Sequence, residues 1–166
     1  MTGGHSNAIK GGYYTLIGGG AYNHITQSIF SAILGGGGAD GVGGNKIIGK
    51  QGGSGDRSNL IGAGVDNVIS ASSYCFIGAG RHNKIENGSE VSYHGTPAAG
   101  EVSKGDNTII AGAYNVISAC SASFIGGGAS NSITASMYAA LVGGWKNSIG
   151  RRGKPSHYSA CLLYTS

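Results

Sequence analysis

The sequence predicts an all-β fold, a parallel β-solenoid or β-roll of about seven 16-residue coils, with two short strands per coil and three loop insertions. Three observations predict it. The tripeptide Asn-x-Ile recurs at Asn7, Asn23, Asn45, Asn67, Asn83, Asn115, Asn131 and Asn147, with spacings of 16, 22, 22, 16, 32, 16 and 16 residues. A second apolar position, Ile17, Ile33, Ile77, Ile125 or Leu141, follows ten residues after the asparagine and leads into a small-residue run such as Gly18-Gly19-Gly20. Glycine supplies 34 of 166 residues and proline only two, the mark of an ordered repeat rather than a linker.

Each unit therefore holds two apolar strand centres eight residues apart, Ile9 with Ile17 in the first unit and Ile25 with Ile33 in the second. Strands so short at so fixed an interval suit a coil of two strands per turn. A helical repeat is excluded by the glycines inside every unit, each costing about 1 kcal/mol in a helix. Stacked units place like residues at about 4.8 Å, the hydrogen-bonding distance between strands. The ladder residues are then Asn7, Asn23, Asn67, Asn83, Asn115, Asn131 and Asn147, with Ile9, Ile25, Ile69, Ile85, Ile117, Ile133 and Ile149 two places on. Ile17, Ile77, Ile125 and Leu141 centre the second strand, and counting back six from Asn67 and Asn115 adds Ile61 and Ile109. The asparagines are expected to form an amide ladder and to occupy left-handed corners, which Asn tolerates. Tyr14, Phe30, Tyr74, Ala122 and Tyr138, seven residues after an asparagine, form an aromatic column with one gap. That column either faces the core or a partner chain, or makes an exposed platform for sugar rings.

A charge stacked on its own copy is destabilising. Six of the seven acids, Asp40, Asp56, Glu86, Glu90, Glu101 and Asp106, accordingly fall in the irregular stretches, which delimits insertions at about 36–44, 48–59 and 86–106. Recognition chemistry is expected on the second and third of these, with Arg57, Glu86, Glu90, Tyr93 and His94 as candidate ligand contacts, because loops carry variable chemistry on a rigid scaffold. Composition narrows the remaining classes. Charged residues are 11% against 40% apolar, unlike a disordered chain, and the net charge of +4 is scattered rather than clustered, so nucleic acid is not implied. No run is long enough to cross a membrane, and Met1-Thr2-Gly3-Gly4-His5 shows no signal peptide. The last six residues, 161–166, read as a translated sequencing adapter, so one repeat domain is expected over 1–160, with its natural C-terminal continuation missing.

The residue before each second apolar centre points to the opposite face, yet it is Leu16, Ala32, Leu60, Phe76, Thr108, Phe124 or Ala140. A strand apolar on both faces is buried on both. A thin coil also depends on neighbours to bury surface, so Leu16, Leu60, Phe76 and Phe124 are expected to form a homo-oligomeric face.

The unit Ser123-Phe124-Ile125-Gly126-Gly127-Gly128-Ala129-Ser130-Asn131-Ser132-Ile133 resembles the glycine-rich head repeats of trimeric autotransporter adhesins of the YadA type, and the Gly-Gly-Gly-x-x-Asn repeats of bacteriophage tail fibres. The resemblance covers about residues 3–149 without the insertions, and departs from the adhesin heads in a period of sixteen rather than fourteen. It implies a left-handed roll, three chains side by side, and a stalk or receptor-binding head on a virion or bacterial surface, with a host glycan or protein as partner.

Catalysis needs converging groups. Glu86 and Glu90 would be paired carboxylates only if the long insertion folded into a site, which leaves a tail-spike-like polysaccharide hydrolase or lyase as the enzymatic alternative to a structural, non-enzymatic segment. Gly35 to Gly43 matches a calcium nonapeptide once, with Asp40 as its acid, but calcium rolls need the motif in tandem. No cofactor is assigned. His5, His24, His82, His94 and His157 share no ligand spacing, and Cys75 and Cys120 stand in small-residue columns as packing residues. Ice binding would want a regular threonine column, and Thr15, Thr26, Thr108 and Thr134 do not align into one.

Overall fold

The computed structural model describes residues 3–38, 43–49, 56–86, 106–136, 138–150 and 161–162. These residues form two eight-stranded parallel sheets of two- and three-residue strands, as the repeat predicts. The first sheet stacks β1 (Ala8–Lys10), β3 (His24–Thr26), β6 (Lys46–Ile48), β9 (Val68–Ser70), β11 (Lys84–Glu86), β13 (Val116–Ser118), β15 (Ser132–Thr134) and β17 (Ser148–Gly150). The second stacks β2 (Leu16–Ile17), β5 (Ala32–Ile33), β8 (Leu60–Ile61), β10 (Phe76–Ile77), β12 (Thr108–Ile109), β14 (Phe124–Ile125), β16 (Ala140–Leu141) and β18 (Cys161–Leu162). The segment expected to be an adapter thus supplies the last strand of the second sheet. Eight strands make seven coil-to-coil steps, a rise of about 34 Å at about 4.8 Å per step.

Register follows the isoleucines. In the first sheet Ile9 lies opposite Ile25, Ile25 opposite Ile47, and Ile85 opposite Ile117; in the second Ile17 lies opposite Ile33 and Ile77 opposite Ile109. Each strand of the two large sheets from β1 to β17 therefore contributes one inward apolar side chain, and the two rows meet in a core one side chain deep from each sheet. Ile17, Ile25, Ile69, Ile77, Ile85, Ile117, Ile125, Ile133 and Leu141 are fully buried, Ile149 nearly so, and Ile9 packs against the same cluster. Burying each such side chain is worth about 1.5–3 kcal/mol.

Two features depart from the sequence reading. At seven of the eight ladder asparagines the left-handed corner is the residue before the asparagine, not the asparagine itself: Ser6, Tyr22, Asp66, His82, Tyr114, Ser130 and Lys146 have φ between 52° and 58°, while before Asn45 it is Gly43, at 89°. The asparagine opens the strand with its side chain turned inward, where its amide is needed for hydrogen bonds. The insertions are also shorter as loops than their sequence limits. Ile48 and Glu86 are the last residues of β6 and β11, and Asp56–Arg57 forms strand β7, paired in parallel with β4 (Ser28–Ile29). Glu86 is therefore a strand residue, and its charge is held by Lys84 Nζ at 2.6 Å rather than by a loop.

Candidate functional site

The inner walls of the roll are polar ladders. Each asparagine Oδ1 accepts the backbone N–H of the asparagine one coil on: Asn23 N donates to Asn7 at 3.0 Å, Asn83 N to Asn67 at 3.1 Å, Asn131 N to Asn115 at 3.1 Å and Asn147 N to Asn131 at 3.0 Å. Each Nδ2 then donates to carbonyls of the small-residue corner, as Asn131 does to Gly127 at 3.0 Å and to Gly144 at 2.9 Å. Direct amide-to-amide contact, the form of ladder expected, joins Asn67 to Asn45 and Asn83 to Asn67, both at 3.1 Å. Elsewhere the ladder is side chain to backbone.

A second ladder runs along the opposite edge, in a column that no single residue type fills. Its column is Thr15, Ser31, Asn59, Cys75, Asn107, Ser123 and Ala139, eight residues after the asparagine in regular coils. Asn59 accepts from Cys75 N at 3.0 Å and donates to Ser72 O at 2.7 Å; Asn107 accepts from Ser123 N at 3.0 Å and donates to Cys120 O at 2.9 Å. The available signal was the half-repeat: the chain runs as eight-residue half-coils, each opening with a residue that bonds across the corner. Cys75 and Cys120 sit in these walls, buried, with their Sγ atoms bonded to Ser73 O and Ser118 O. Burial pushes the Cys120 thiol above its usual range, which leaves little thiolate for nucleophilic chemistry.

The two outer faces differ in kind. Outward positions of the first sheet include Lys10, His24, Lys46, Ser70, Lys84 and Glu86. Those of the second sheet carry no charge in the seven coils from β2 to β16. There, each strand and its next outward residue pair one bulky side chain with one small one: Leu16 with Gly18, Ala32 with Leu34, Leu60 with Gly62, Phe76 with Gly78, Thr108 with Ile110, Phe124 with Gly126, Ala140 with Val142. The rings of Phe76 and Phe124 lie over their glycines, with a ring carbon 3.4 and 3.3 Å from where a Cβ would stand. Leu16, Leu34, Ile110 and Val142 are exposed, whereas Leu60, Phe76 and Phe124 are half-buried.

The aromatic column lies at an edge, outside the core. Tyr14, Phe30, Tyr74 and Tyr138 are left-handed and between 51% and 82% exposed, sharing their column with Ser58, Asp106 and Ala122. Tyr14 and Phe30 stack at 5.0 Å and 7°. On the other edge His82 stacks on Tyr114 at 4.7 Å and bonds Asp66 through Nδ1 at 3.0 Å. The second and third insertions both leave by the aromatic edge, between β6 and β8 and between β11 and β12, one regular coil apart. The first leaves by the opposite edge, between β5 and β6. Of the predicted ligand contacts, Glu86 lies on the outer face of the first sheet and Arg57 in β7. Glu90, Tyr93 and His94, and Asp40 of the calcium-like motif, lie outside the described residues. Among the described residues, no three His, Cys, Asp or Glu side chains group as a metal site, and no helix is long and apolar enough to cross a membrane.

No protein-family model matches the chain, and a search of curated proteins also finds no match.

Proposed function

We propose that this chain is a self-associating structural segment of a surface-attachment fibre, a phage tail fibre or bacterial surface adhesin, which holds recognition loops on a rigid roll. One observation carries the reading. The asparagine ladder and the isoleucine core continue without a break past every insertion, and two of the three excursions, the longest among them, share one edge. A scaffold that keeps its register while exporting irregular chain at one side is built to present that chain. The deletion that tests it is set by the half-coil: Asn107 lies 24 residues after Asn83 where a regular half-coil takes eight, leaving 16 extra. Removing residues 89–104 is expected to leave the β-rich circular dichroism spectrum and melting temperature of the roll nearly unchanged and to reduce attachment to host cells. Unchanged attachment would make the segment a spacer.

Self-association rests on the uncharged face of the second sheet. A rotation axis parallel to the roll sets one side of each coil's outer strand against the other side of the same strand in a neighbouring copy. Because every coil presents one bulky and one small residue, bulk meets space in each layer when copies are parallel and in register. An unrelated partner would not share the 16-residue repeat. Three copies is the number implied by the adhesin resemblance. Leu34→Lys together with Ile110→Lys, both half-exposed and outward, is expected to give a folded monomer by light scattering where the unaltered chain gives an oligomer. An unaltered chain that is monomeric overturns this part of the reading.

A further inference from the structure

We infer that Tyr114, Trp145 and Lys146, with Ala129 and Ser130 between them, form a notch that binds one ring of an acidic sugar, a pyranose bearing a carboxylate. The site is built from regular corners alone, on the edge away from the second and third insertions, and goes beyond the attachment reading above.

Two adjacent columns make the notch. Ala113, Ala129 and Trp145 are bridged in parallel from coil to coil. Tyr114, Ser130 and Lys146 follow them one place on, with Ser130 N donating to Ala113 O at 2.9 Å and Lys146 N to Ala129 O at 3.0 Å. These three share one backbone conformation, with φ of 56°, 58° and 55°, so their side chains leave the corner in the same direction. The ring of His82, one coil before, lies 4.7 Å from that of Tyr114 and 12° from parallel with it, which turns the other face of Tyr114 toward the coil of Ser130. Neither Ala129 nor Ser130 is long enough to cover that face. One coil further, the Lys146 ammonium stands 4.2 Å from the centre of the Trp145 ring, and the two make the second wall. Tyr114 is 50% exposed and Trp145 65%. The corner requires neither ring: Ser6 and Ser130 hold the position of Tyr114 with the same left-handed φ, which is uncommon for a bulky residue, and Ala113 and Ala129 hold that of Trp145.

Width and charge select the ligand. The walls are two coils apart, about 9.6 Å. A flat ring touching both would need them about 7–8 Å apart, whereas a puckered pyranose with its axial substituents spans about 9–10 Å between contact surfaces. The C–H bonds of the sugar then pack on Tyr114 and Trp145, with the Ser130 hydroxyl at the floor for its hydroxyls. The Arg81 guanidinium lies 5.8 Å from the centre of the Tyr114 ring, and among the described residues neither Arg81 nor Lys146 forms an ion pair. The described acids stand elsewhere. Asp66, three coils back from Ser130, is held by His82 at 3.0 Å, Glu86 is held by Lys84 at 2.6 Å, and Asp56 and Asp106 are at the opposite edge. The notch is therefore positive, and a carboxylate on the sugar complements it.

Saturation-transfer NMR titrations of the full chain with trigalacturonate, sialyllactose, mannotriose, cellotriose and adenosine monophosphate test this. At least one of the two acidic sugars is expected to bind through ring protons, about tenfold or more tightly than either neutral one. Tyr114→Ala and Trp145→Ala should each weaken that binding about tenfold or more, with an unchanged melting temperature. Ser130→Tyr fills the notch with a residue that the same corner accepts at Tyr22 and Tyr114, and should abolish binding in a folded chain. Lys146→Gln should remove the preference for acidic over neutral sugars, while Tyr138→Ala, on the opposite edge, leaves binding intact. The notch is overturned if neither acidic sugar binds, if binding survives Tyr114→Ala, Trp145→Ala or Ser130→Tyr, or if the acidic preference survives Lys146→Gln. Tighter binding of a neutral sugar or of adenosine monophosphate overturns it equally.

Discussion

Asn83→Asp is expected to unfold the middle of the roll at neutral pH. Asn83 is fully buried, and its Nδ2 donates to Ala79 O at 3.1 Å, to Gly112 O at 2.9 Å and to Asn67 Oδ1 at 3.1 Å, while its Oδ1 accepts from Asn115 N at 3.1 Å. Aspartate keeps the shape and the acceptor but replaces three donor contacts with an oxygen facing three oxygens. At about 1–2 kcal/mol for each lost contact the cost is roughly 3–6 kcal/mol, most of the stability of an ordinary domain. The introduced carboxyl is raised above its unfolded value near 3.9, because burial and facing carbonyls disfavour its charge. Raised in the folded state, it favours folding fully below that unfolded value, and the stability is lost as pH rises through the folded one. Chemical denaturation followed across pH 3 to 8 should therefore show partial recovery in acid relative to the unaltered chain. A midpoint deficit independent of pH would mean that the donor contacts, and not the charge, carry the loss.

A second large effect is expected at Gly128, and its neighbour supplies the comparison. Gly128 has φ of +83°, and a Cβ there would stand 2.1 Å from Gly144 O, the carbonyl of the next coil, and 2.8 Å from Asn131 Nδ2. Backbone, not a flexible side chain, would have to move, and the ladder bond from Asn131 to Gly144 would move with it. Gly127 has no atom within 4 Å of its would-be Cβ and no positive φ. Gly128→Ala is expected to cost about 2–4 kcal/mol, whereas Gly127→Ala should fall within about 0.5 kcal/mol of the unaltered chain. Equal melting temperatures for the two variants would overturn this account of the corner.

The isoleucine core and the first asparagine ladder were legible because period and chemistry coincide: one residue type returns at one offset, and stacking turns that offset into a contact. The second ladder was not, for the opposite reason. Thr15, Ser31, Asn59, Cys75, Asn107, Ser123 and Ala139 share a size and a place but no single residue type, and insertions displace Asn59 and Asn107 from the common spacing. The left-handed corners were hidden too. Tyr22, His82 and Tyr114 are not residues that announce positive φ, and they hold it because the ladder bonds on either side fix the turn. The cost of stacking like charges predicts a loop position for Glu86, yet its column neighbours are Ser70 and Ser118, and Lys84 beside it neutralises the charge. The shared edge of the second and third insertions was beyond sequence reading, because it depends on knowing on which side each of the two leaves.

That one regular coil separates those two insertions gives the roll the property of a graduated ruler. Duplicating or excising a 16-residue unit between Asn67 and Asn83 returns every column to phase, so the change is absorbed without altering any ladder or core contact in kind. Only the interval between the two excursions changes, by one graduation of about 4.8 Å. Spacing on this edge is thus quantised, and recombination between repeats resets it without redesigning either insertion.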